Sequence, residues 1–505
     1  MEQLSSIDYT FLQAETPQLP MHVCSVAVYD PGTAPVGRVR IDDIAGLYLG
    51  AMCDVPLLRR RLLRVPGNVD LPYWIEDPDF DLDYHVRHVA LARPGDWTQF
   101  HQQLASIHSE PLDLSRPPWE VYVIDGLDNL EGMPAGAFAV VQKLHHAAID
   151  GAALRRLFIG MHQTTPEAPR APLRHAFLIR ESKPGALPLW LQSYQHALAR
   201  PFKLSRVLLR AARGAREVKR ARSQGCIEAA QHGNPSRFNG HVTASRAVTS
   251  ASLPFGEFER LRHAVPGATL NDLAICVLAG ALRHYLIGKG ESIDTPLIVQ
   301  VPVNIRTTAQ GGHGGNKISA INVSTCSHIA DPLERLHAVV RSTRSGKERL
   351  DRMGSSAMED VADALGPWVT QGIFTVMEHG GRIQALTGLR TSGPNLAFSN
   401  MAGAATPLYL CGARFVWGMG LGPLMPNMGL FVTATSGMGV FAFGVNACRA
   451  MMPDPEHFAY CLRHAYDESK QVLAKHLPRG EGHGLARSQQ APSAAGARSL
   501  GAAHP

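Results

Sequence analysis

The chain has 505 residues, 45% hydrophobic and 18% charged, with a formal net charge of +6. That length and apolar share support a large core, divided into two domains of about 200 residues each plus connecting pieces. Eight scattered cysteines with no C-x-x-C pair exclude a zinc or disulfide framework and suit a reducing compartment.

Residues 1–8 carry acidic side chains and no apolar h-region, so no signal peptide is expected. Ser5 is placed to cap a short turn that buries Phe11 and Leu12. Residues 21–29 read as a first strand, with His22 as a satisfied core histidine. Residues 41–62 read as a helix whose basic end, Arg59, Arg60 and Arg61, suits a helix C-terminus. A Pro- and Asp-rich stretch follows, without the D-x-D-x-D-G spacing of a calcium loop. Pro117 and Pro118 fix an extended turn ahead of a strand at 121–124, and Asp113 and Arg116 are spaced to pair locally.

The mostly apolar run 137–144 has strand length and leads into His145-His146-Ala147-Ala148-Ile149-Asp150-Gly151. Beyond it Leu154, Leu157, Phe158 and Met161 recur at helical spacing, so the motif lies where a buried strand ends and a helix begins. Asp150 is placed to cap that helix. Successive strand residues point to opposite faces. If the strand runs through the pair, His145 and His146 cannot converge on one atom. That argues against a metal site, which needs convergent ligands, and favours one working histidine beside one that packs or orients it.

Residues 164–188 hold five prolines and mark a linker. Residues 190–222 are amphipathic and basic, with nine Lys or Arg from Arg200 to Arg222 against the single acidic Glu217. Such a helix reads as a membrane-surface element or as a linker helix packed on the body. Its aromatic interleaving is sparse, which argues against nucleic acid. A second domain begins near 235, with a helix starting around Asn271-Asp272 and a buried strand at 296–306 that ends in a polar tip. The glycine-rich 311–316 lacks both the Lys-Ser/Thr of a P-loop and dinucleotide spacing, and reads as a turn before a strand at 318–323. Residues 415–448 carry no charge but are broken by glycines, which makes them sheet core rather than a membrane span. The Gly-, Ala-, Ser- and Pro-rich residues 478–505 read as a disordered tail. The organisation expected is therefore 1–188 as the domain carrying the motif, 189–234 as a basic helical linker, 235–477 as a second domain, and 478–505 as the tail.

The H-H-x-x-x-D-G signature resembles that of CoA-dependent acyltransferases, which include chloramphenicol acetyltransferase and peptide-synthetase condensation domains. Further blocks in order narrow the resemblance to bacterial wax ester synthase/acyl-CoA:diacylglycerol acyltransferases. They are Ser5-x-x-Asp8-x-x-Phe11-Leu12, Pro111-Leu112-Asp113 with Arg116-Pro117 and Trp119-Glu120, Asn239-Gly240, Asn271-Asp272, Val301 to Arg306, Gly315-Asn316, Phe443-Gly444 and Pro453-Asp454. Two stretches depart: Asn400-Met401-Ala402-Gly403-Ala404 stands where the family tends to Asn-Val-Pro-Gly-Pro, and Val323-Ser324 where a Leu-Pro pair is frequent. Both bear on the substrate pocket rather than on the reaction.

The resemblance implies an α/β fold of two chloramphenicol-acetyltransferase-like domains, mixed sheets with helices, and an active-site tunnel at their interface. It implies transfer of a long-chain acyl group from acyl-CoA, the co-substrate, to the hydroxyl of diacylglycerol or a long-chain fatty alcohol. His146 would be the general base and His145 its support. Asp150 would be structural, paired with Arg306, and Gly151 would leave room for the helix. Asn271 and Asp272 would position substrate or stabilise the oxyanion. No cofactor or metal is expected, and no G-x-S-x-G elbow offers a serine nucleophile. A cytoplasmic protein is implied, held peripherally on the inner membrane or on lipid inclusions through its basic helix. Two other readings share the motif: transfer to a different acceptor, and a non-catalytic protein that binds lipid droplets. The intact His146, Asp150 and Arg306 speak against the second.

Overall fold

A computed structural model describes residues 1–35, 37–149, 151–167, 185–225, 227–228, 233–304, 318–354, 357–387, 393–404 and 406–478. The first half runs β1 (Glu2–Gln3), α1 (Ser6–Ala14), β2 (His22–Asp30), α2 (Ile41–Asp54), β3 (Arg60–Leu63), β4 (Tyr73–Glu76), α3 (Leu82–His85), β5 (Val86–Ala90), α4 (Trp97–Ser109), β6 (Trp119–Asp125), β7 (Phe138–His145) and α5 (Gly151–Gly160). The long helix α6 (Ala186–Ser223) follows. The second half runs β8 (Arg246–Pro254), α7 (Phe255–Leu261), α8 (Leu270–Gly288), β9 (Ile298–Asn304), β10 (Ile318–Ser324), α9 (Pro332–Met353) and α10 (Ala357–Thr387). It closes with β11 (Leu396–Ala402), β12 (Tyr409–Leu410), β13 (Ala413–Leu421), β14 (Leu430–Gly437), β15 (Val440–Cys448) and α11 (Pro455–Leu473).

Two mixed six-stranded sheets form the two domains, in the orders β12-β13-β2-β7-β6-β5 and β10-β9-β11-β14-β15-β8. The sheets do not divide at one point of the chain. Tyr409–Leu410 and Ala413–Leu421 lie within the expected second domain, 235–477, yet β13 pairs antiparallel with β2 in the first sheet. The charge-free stretch 415–448 is thus sheet core, as its glycines imply, but shared between both sheets.

The first sheet buries both faces. Along β7, Phe138, Val140 and Leu144 enter a cluster with Ile44, Tyr48 and Met52 of α2 and with Leu154 and Leu157 of α5. The alternate Ala139 and Val141 enter a cluster with Phe100 and Leu104 of α4. This period of two fixes the sides of the later residues as well: Lys143 and His145 share the α4 side. Helix α4 also reaches the other domain, through His101 Nε2 at 3.0 Å from Ser250 Oγ of β8. Trp417 Nε1 donates to Ser252 Oγ at 2.9 Å across the same boundary.

The second sheet packs on α8, α9 and α11, with Leu273, Val277, Leu336, Val432, Phe443 and Leu462 in one core. Among the described residues α8 is long and apolar enough to cross a membrane, but 72% of its most apolar window is buried inside the protein. Its apolarity belongs to the core.

The helix expected over 41–62 is corrected. It stops at Asp54, because Pro56 follows and has no N–H to continue the ladder. Arg59 ends a separate short 3₁₀ turn, Pro56–Arg59, and Arg60 and Arg61 open β3, so the three do not form the C-terminus of α2. Arg59 and Arg60 reach Glu76 at 2.7 and 3.1 Å, and Arg61 lies 3.4 Å from Asp77, so the cluster ties β3 to the end of β4.

Candidate active site

Strand β7 ends on the motif. The His145 N–H donates to Pro118 O at 3.0 Å on one side, and the His146 N–H to Met21 O at 2.8 Å on the other. Opposed N–H directions on adjacent residues are those of an extended chain, so the two rings leave on opposite sides. The chain then turns, with Ala148 N donating to His145 O at 2.9 Å, and α5 begins at Gly151. A Cβ on Gly151 would meet only Met401 Sδ, at 3.4 Å, an ordinary contact with the end of a flexible side chain.

His145 is wholly buried on the α4 side. Its Nδ1 accepts the Ala147 N–H at 3.1 Å, so the proton of the neutral ring is assigned to Nε2. That nitrogen lies 3.4 Å from Glu15 Oε2, within Coulombic reach though not aligned as a hydrogen bond. The other oxygen, Glu15 Oε1, accepts Met21 N–H at 3.3 Å. Glu15 is the residue that ends α1. The same helix presents Phe11, whose ring stacks on His146 at 4.0 Å between centroids and 8° between planes. His146 is only half-buried. One short helix therefore holds both rings of the pair. It starts where Ser5 caps it, Oγ accepting Asp8 N–H at 3.1 Å.

A buried polar layer supports the strand end. Lys143 Nζ lies 3.2 Å from Glu120 Oε2, and Glu120 also accepts from Tyr122 Oη at 2.7 Å and from Arg87 at 3.0 Å. His22, the register partner of His145, has Nε2 at 2.8 Å from His108 Nδ1, and His108 Nε2 contacts Gly422 O at 3.1 Å. Burial holds the His22 pKa well below the usual imidazole value and that of His108 down to about 3, so both rings are neutral. Burial likewise pushes the Cys24 thiol up to about 12, which leaves it inert as a nucleophile. Among the described residues two groups bring three ligand-type atoms within 4.8 Å of one another: His22, Cys24 and His108, and His284, His464 and Glu468. Neither includes His145 or His146.

A partly open pocket lies between the sheets. Leu154, Arg155 and Phe158 of α5 form one wall, and Met401, Trp417 and Met419 form others. Arg155 Nε donates to Ala402 O at 2.7 Å. His146 does not line this pocket; the helix that its motif starts does.

Family models match most of this chain: the wax ester synthase/diacylglycerol acyltransferase catalytic domain over residues 4–274, and the WS/DGAT C-terminal domain over 314–470. A putative diacylglycerol O-acyltransferase of Mycobacterium tuberculosis is 30% identical over 459 residues, covering 90% of this chain and 87% of the relative. A second, from Mycobacterium bovis, is 31% identical over 465 residues, covering 89% and 87%. The chain belongs to the wax ester synthase/diacylglycerol acyltransferase family. It is accordingly an O-acyltransferase that draws its acyl group from acyl-CoA. In fold it resembles the wax ester synthase/diacylglycerol acyltransferase from Marinobacter aquaeolei VT8, with TM-score 0.66, 24% identity, and coverage of 94% of this chain and 100% of the other. A starter condensation domain of rhizomide synthetase aligns with TM-score 0.52 at 13% identity, covering 94% of this chain and 95% of the other.

The blocks that carry the resemblance to the family fall into two groups. Some meet the motif: Phe11 stacks on His146, and Glu120 neutralises Lys143. Others build the frame. Asn239 joins four neighbours, donating to Pro394 O and Asn427 O and accepting from Ser236 and Asn395. Asp454 accepts from Tyr285 Oη at 2.7 Å and Lys289 Nζ at 2.6 Å. Asp272, expected beside the substrate or oxyanion, also has a place in this frame. Its Oδ2 accepts from Thr269 N at 2.8 Å and Thr269 Oγ1 at 2.6 Å, closing a capping box on α8, and a carboxylate cannot donate to an oxyanion. Asn271 is half-buried in the first turn of α8 and has no hydrogen bond to His145 or His146. Asp150, Arg306, the 311–316 turn with Gly315-Asn316, and residues 479–505 lie outside the described residues.

Glu15 escapes a reading by motif because it stands 130 positions from His145. Lys143 did carry a signal, since a lysine inside a buried strand requires an acidic partner. Arg155 and Met401 meet only because the second sheet comes against α5.

Proposed function

We propose that this acyltransferase moves a long-chain acyl group from acyl-CoA to the hydroxyl of diacylglycerol or a long-chain fatty alcohol, with His146 as general base. One observation carries the assignment within the pair. His145 is sealed in the core with both ring nitrogens facing Glu15 and the turn, whereas His146 is half-exposed and has one ring face against Phe11. The His146 imidazole takes the proton of the acceptor hydroxyl as its oxygen bonds to the thioester carbonyl carbon. The tetrahedral oxyanion collapses, the C–S bond breaks, and the CoA sulfur leaves with the proton that the imidazolium returns. Ester and free CoA are the products. The thioester is already activated, so neither a covalent acyl-enzyme nor a cofactor is required.

In this reading His145 orients the turn and Asp150 fixes it through Arg306. Gly151 leaves room for α5 to start, and Asn271 positions substrate. The apolar walls of the interdomain pocket favour an acyl chain and exclude water from the thioester. The acceptor is a lipid, so the protein works in the cytoplasm at the inner membrane or a lipid inclusion, with its basic helix toward that surface.

The test follows CoA release from palmitoyl-CoA with hexadecanol or diacylglycerol. His146→Ala is expected to lower kcat by about 10²–10⁴-fold, the range typical of general-base catalysis. Unchanged turnover in that variant refutes the mechanism, and turnover with neither acceptor refutes the substrate assignment.

A further inference from the structure

Helix α6 has two apolar faces. Leu189, Val207, Gly214 and Ala221 are buried on one side, where the helix packs on α9 and α10. On the opposite side Trp190, Tyr194, Leu198 and Leu208 are exposed, Tyr194 at 66%. At 3.6 residues per turn these four fall within about 80° of the helix circumference. One apolar face is what a packed helix needs; a second one, with Trp and Tyr in it, has no use in water.

The same feature recurs on α10. Beyond the kink at Gly366-Pro367, Trp368 is 67% and Val376 71% exposed. The two helices are joined at this level, because a Cβ on Gly366 would lie 3.0 Å from the Arg200 guanidinium. Arg200 and His196 are anchored in turn on the buried Asp70, at 3.0 and 2.7 Å. The charges complete the pattern. Arg210 is held by Asp360 at 2.8 Å, whereas Arg206, Arg213, Arg216 and Lys219 point into solvent. Aromatic and aliphatic side chains beside exposed cations complement an anionic interface with an apolar interior. A second copy of the chain would set cation against cation.

We propose that α6 and α10 together form a face that sinks into an anionic phospholipid surface, apolar side chains at the acyl boundary and arginines at the phosphates. This rests on the reading of a lipid acceptor. It adds where that acceptor enters. Helix α1 packs on α10, Gln13 Nε2 donating to Pro367 O at 2.6 Å, and α1 carries the Phe11 that stacks on His146. The docked face thus lies one helix away from the working histidine.

Flotation of the full chain with vesicles of phosphatidylcholine, with and without phosphatidylglycerol, tests the proposal. The protein is expected to float with the anionic vesicles. Part of the binding should survive high salt, which screens the arginines but not the apolar contact, and tryptophan emission should shift to the blue. Trp190→Glu with Leu198→Glu, and separately Trp368→Glu with Val376→Glu, should weaken flotation by about tenfold or more. Both double variants should keep turnover of palmitoyl-CoA with a short water-soluble alcohol, which also shows that they fold. Flotation is read without substrate, so a failure of the acyl-transfer reading does not disturb it. Undiminished flotation of both variants overturns the proposal. So does a dimer that shields Trp190 and Trp368 from an aqueous quencher and does not float.

Discussion

At the residue scale, the histidine proposed as general base, His146, is placed by a side chain far away in the sequence, Glu15. Glu15 uses one oxygen on Met21 N–H and turns the other to His145 Nε2, while the Met21 carbonyl receives His146 N–H. The carboxylate therefore acts on His146 through two backbone contacts and a buried ring, which makes it a positioning residue. Glu15→Ala is expected to lower kcat about tenfold or more, the loss of one charge-assisted contact of about 1.5–3 kcal/mol, with KM for palmitoyl-CoA nearly unchanged. Glu15→Gln keeps an acceptor for Met21 and should recover part of the rate. A Phe11→Ala variant removes a ring stack worth about 0.5–1.5 kcal/mol beyond its buried area and leaves the His146 ring free to turn. Its kcat should fall further than its melting temperature alone would imply. Equal effects of Glu15→Ala and Glu15→Gln on kcat would show that charge alone matters and would rule out the Met21 contact as the device.

At the scale of elements, Asp272 separates a catalytic account from a structural one. Its carboxylate is bonded to both the N–H and the hydroxyl of Thr269, so Asp272→Ala should cost the N-terminal cap of α8 about 0.5–2 kcal/mol. The expected result is a lower melting temperature with kcat within about threefold of wild type; a collapse of kcat at unchanged melting temperature would return Asp272 to the oxyanion. The comparison shows what was legible in the sequence. Local rules found β7, the turn after His146 and the cap at Ser5, because periodicity and capping act over a few residues. They overran α2, since a helical apolar pattern outweighed the proline at 56. They also could not place Tyr409–Leu421 in the first sheet, because a crossing strand has the same alternation as a strand that stays. The candidate site was half visible: the pair and the opposite directions of its rings follow from strand geometry, but Glu15, Phe11 and Met401 come to it only through tertiary packing.

At the scale of the whole molecule, the two domains are held together around neutral histidines, and this sets a pH limit. His101 and His108 of α4 and His22 of β2 are fully buried between the sheets, and His162 is packed between Tyr29 and Phe158. Burial lowers the pKa of His101 and His162 to about 4 and that of His108 to about 3, and places His22 well below its usual value. The unfolded chain takes up a proton at each of these groups near pH 6.5, whereas the folded protein refuses it until far lower pH. The unfolded state thus binds more protons across the window from about 6.5 to about 4, and stability falls as pH falls through it. Above pH 6.5 both states are neutral at these sites and the effect vanishes. Each of these buried rings adds to the loss in the same direction, and His22 and His108, which touch at 2.8 Å, contribute as one coupled pair. The melting temperature should be level from pH 8 to 7 and drop steeply by pH 5. His108→Gln keeps an amide donor for Gly422 O without a titrating group, so its drop over the same window should be smaller than that of the wild type. A wild-type transition that stays level down to pH 4 would mean that these rings are already charged in the folded protein. In the wild type the same acid window should loosen the domain boundary first at His101, whose Nε2 faces Ser250 Oγ of β8 across it.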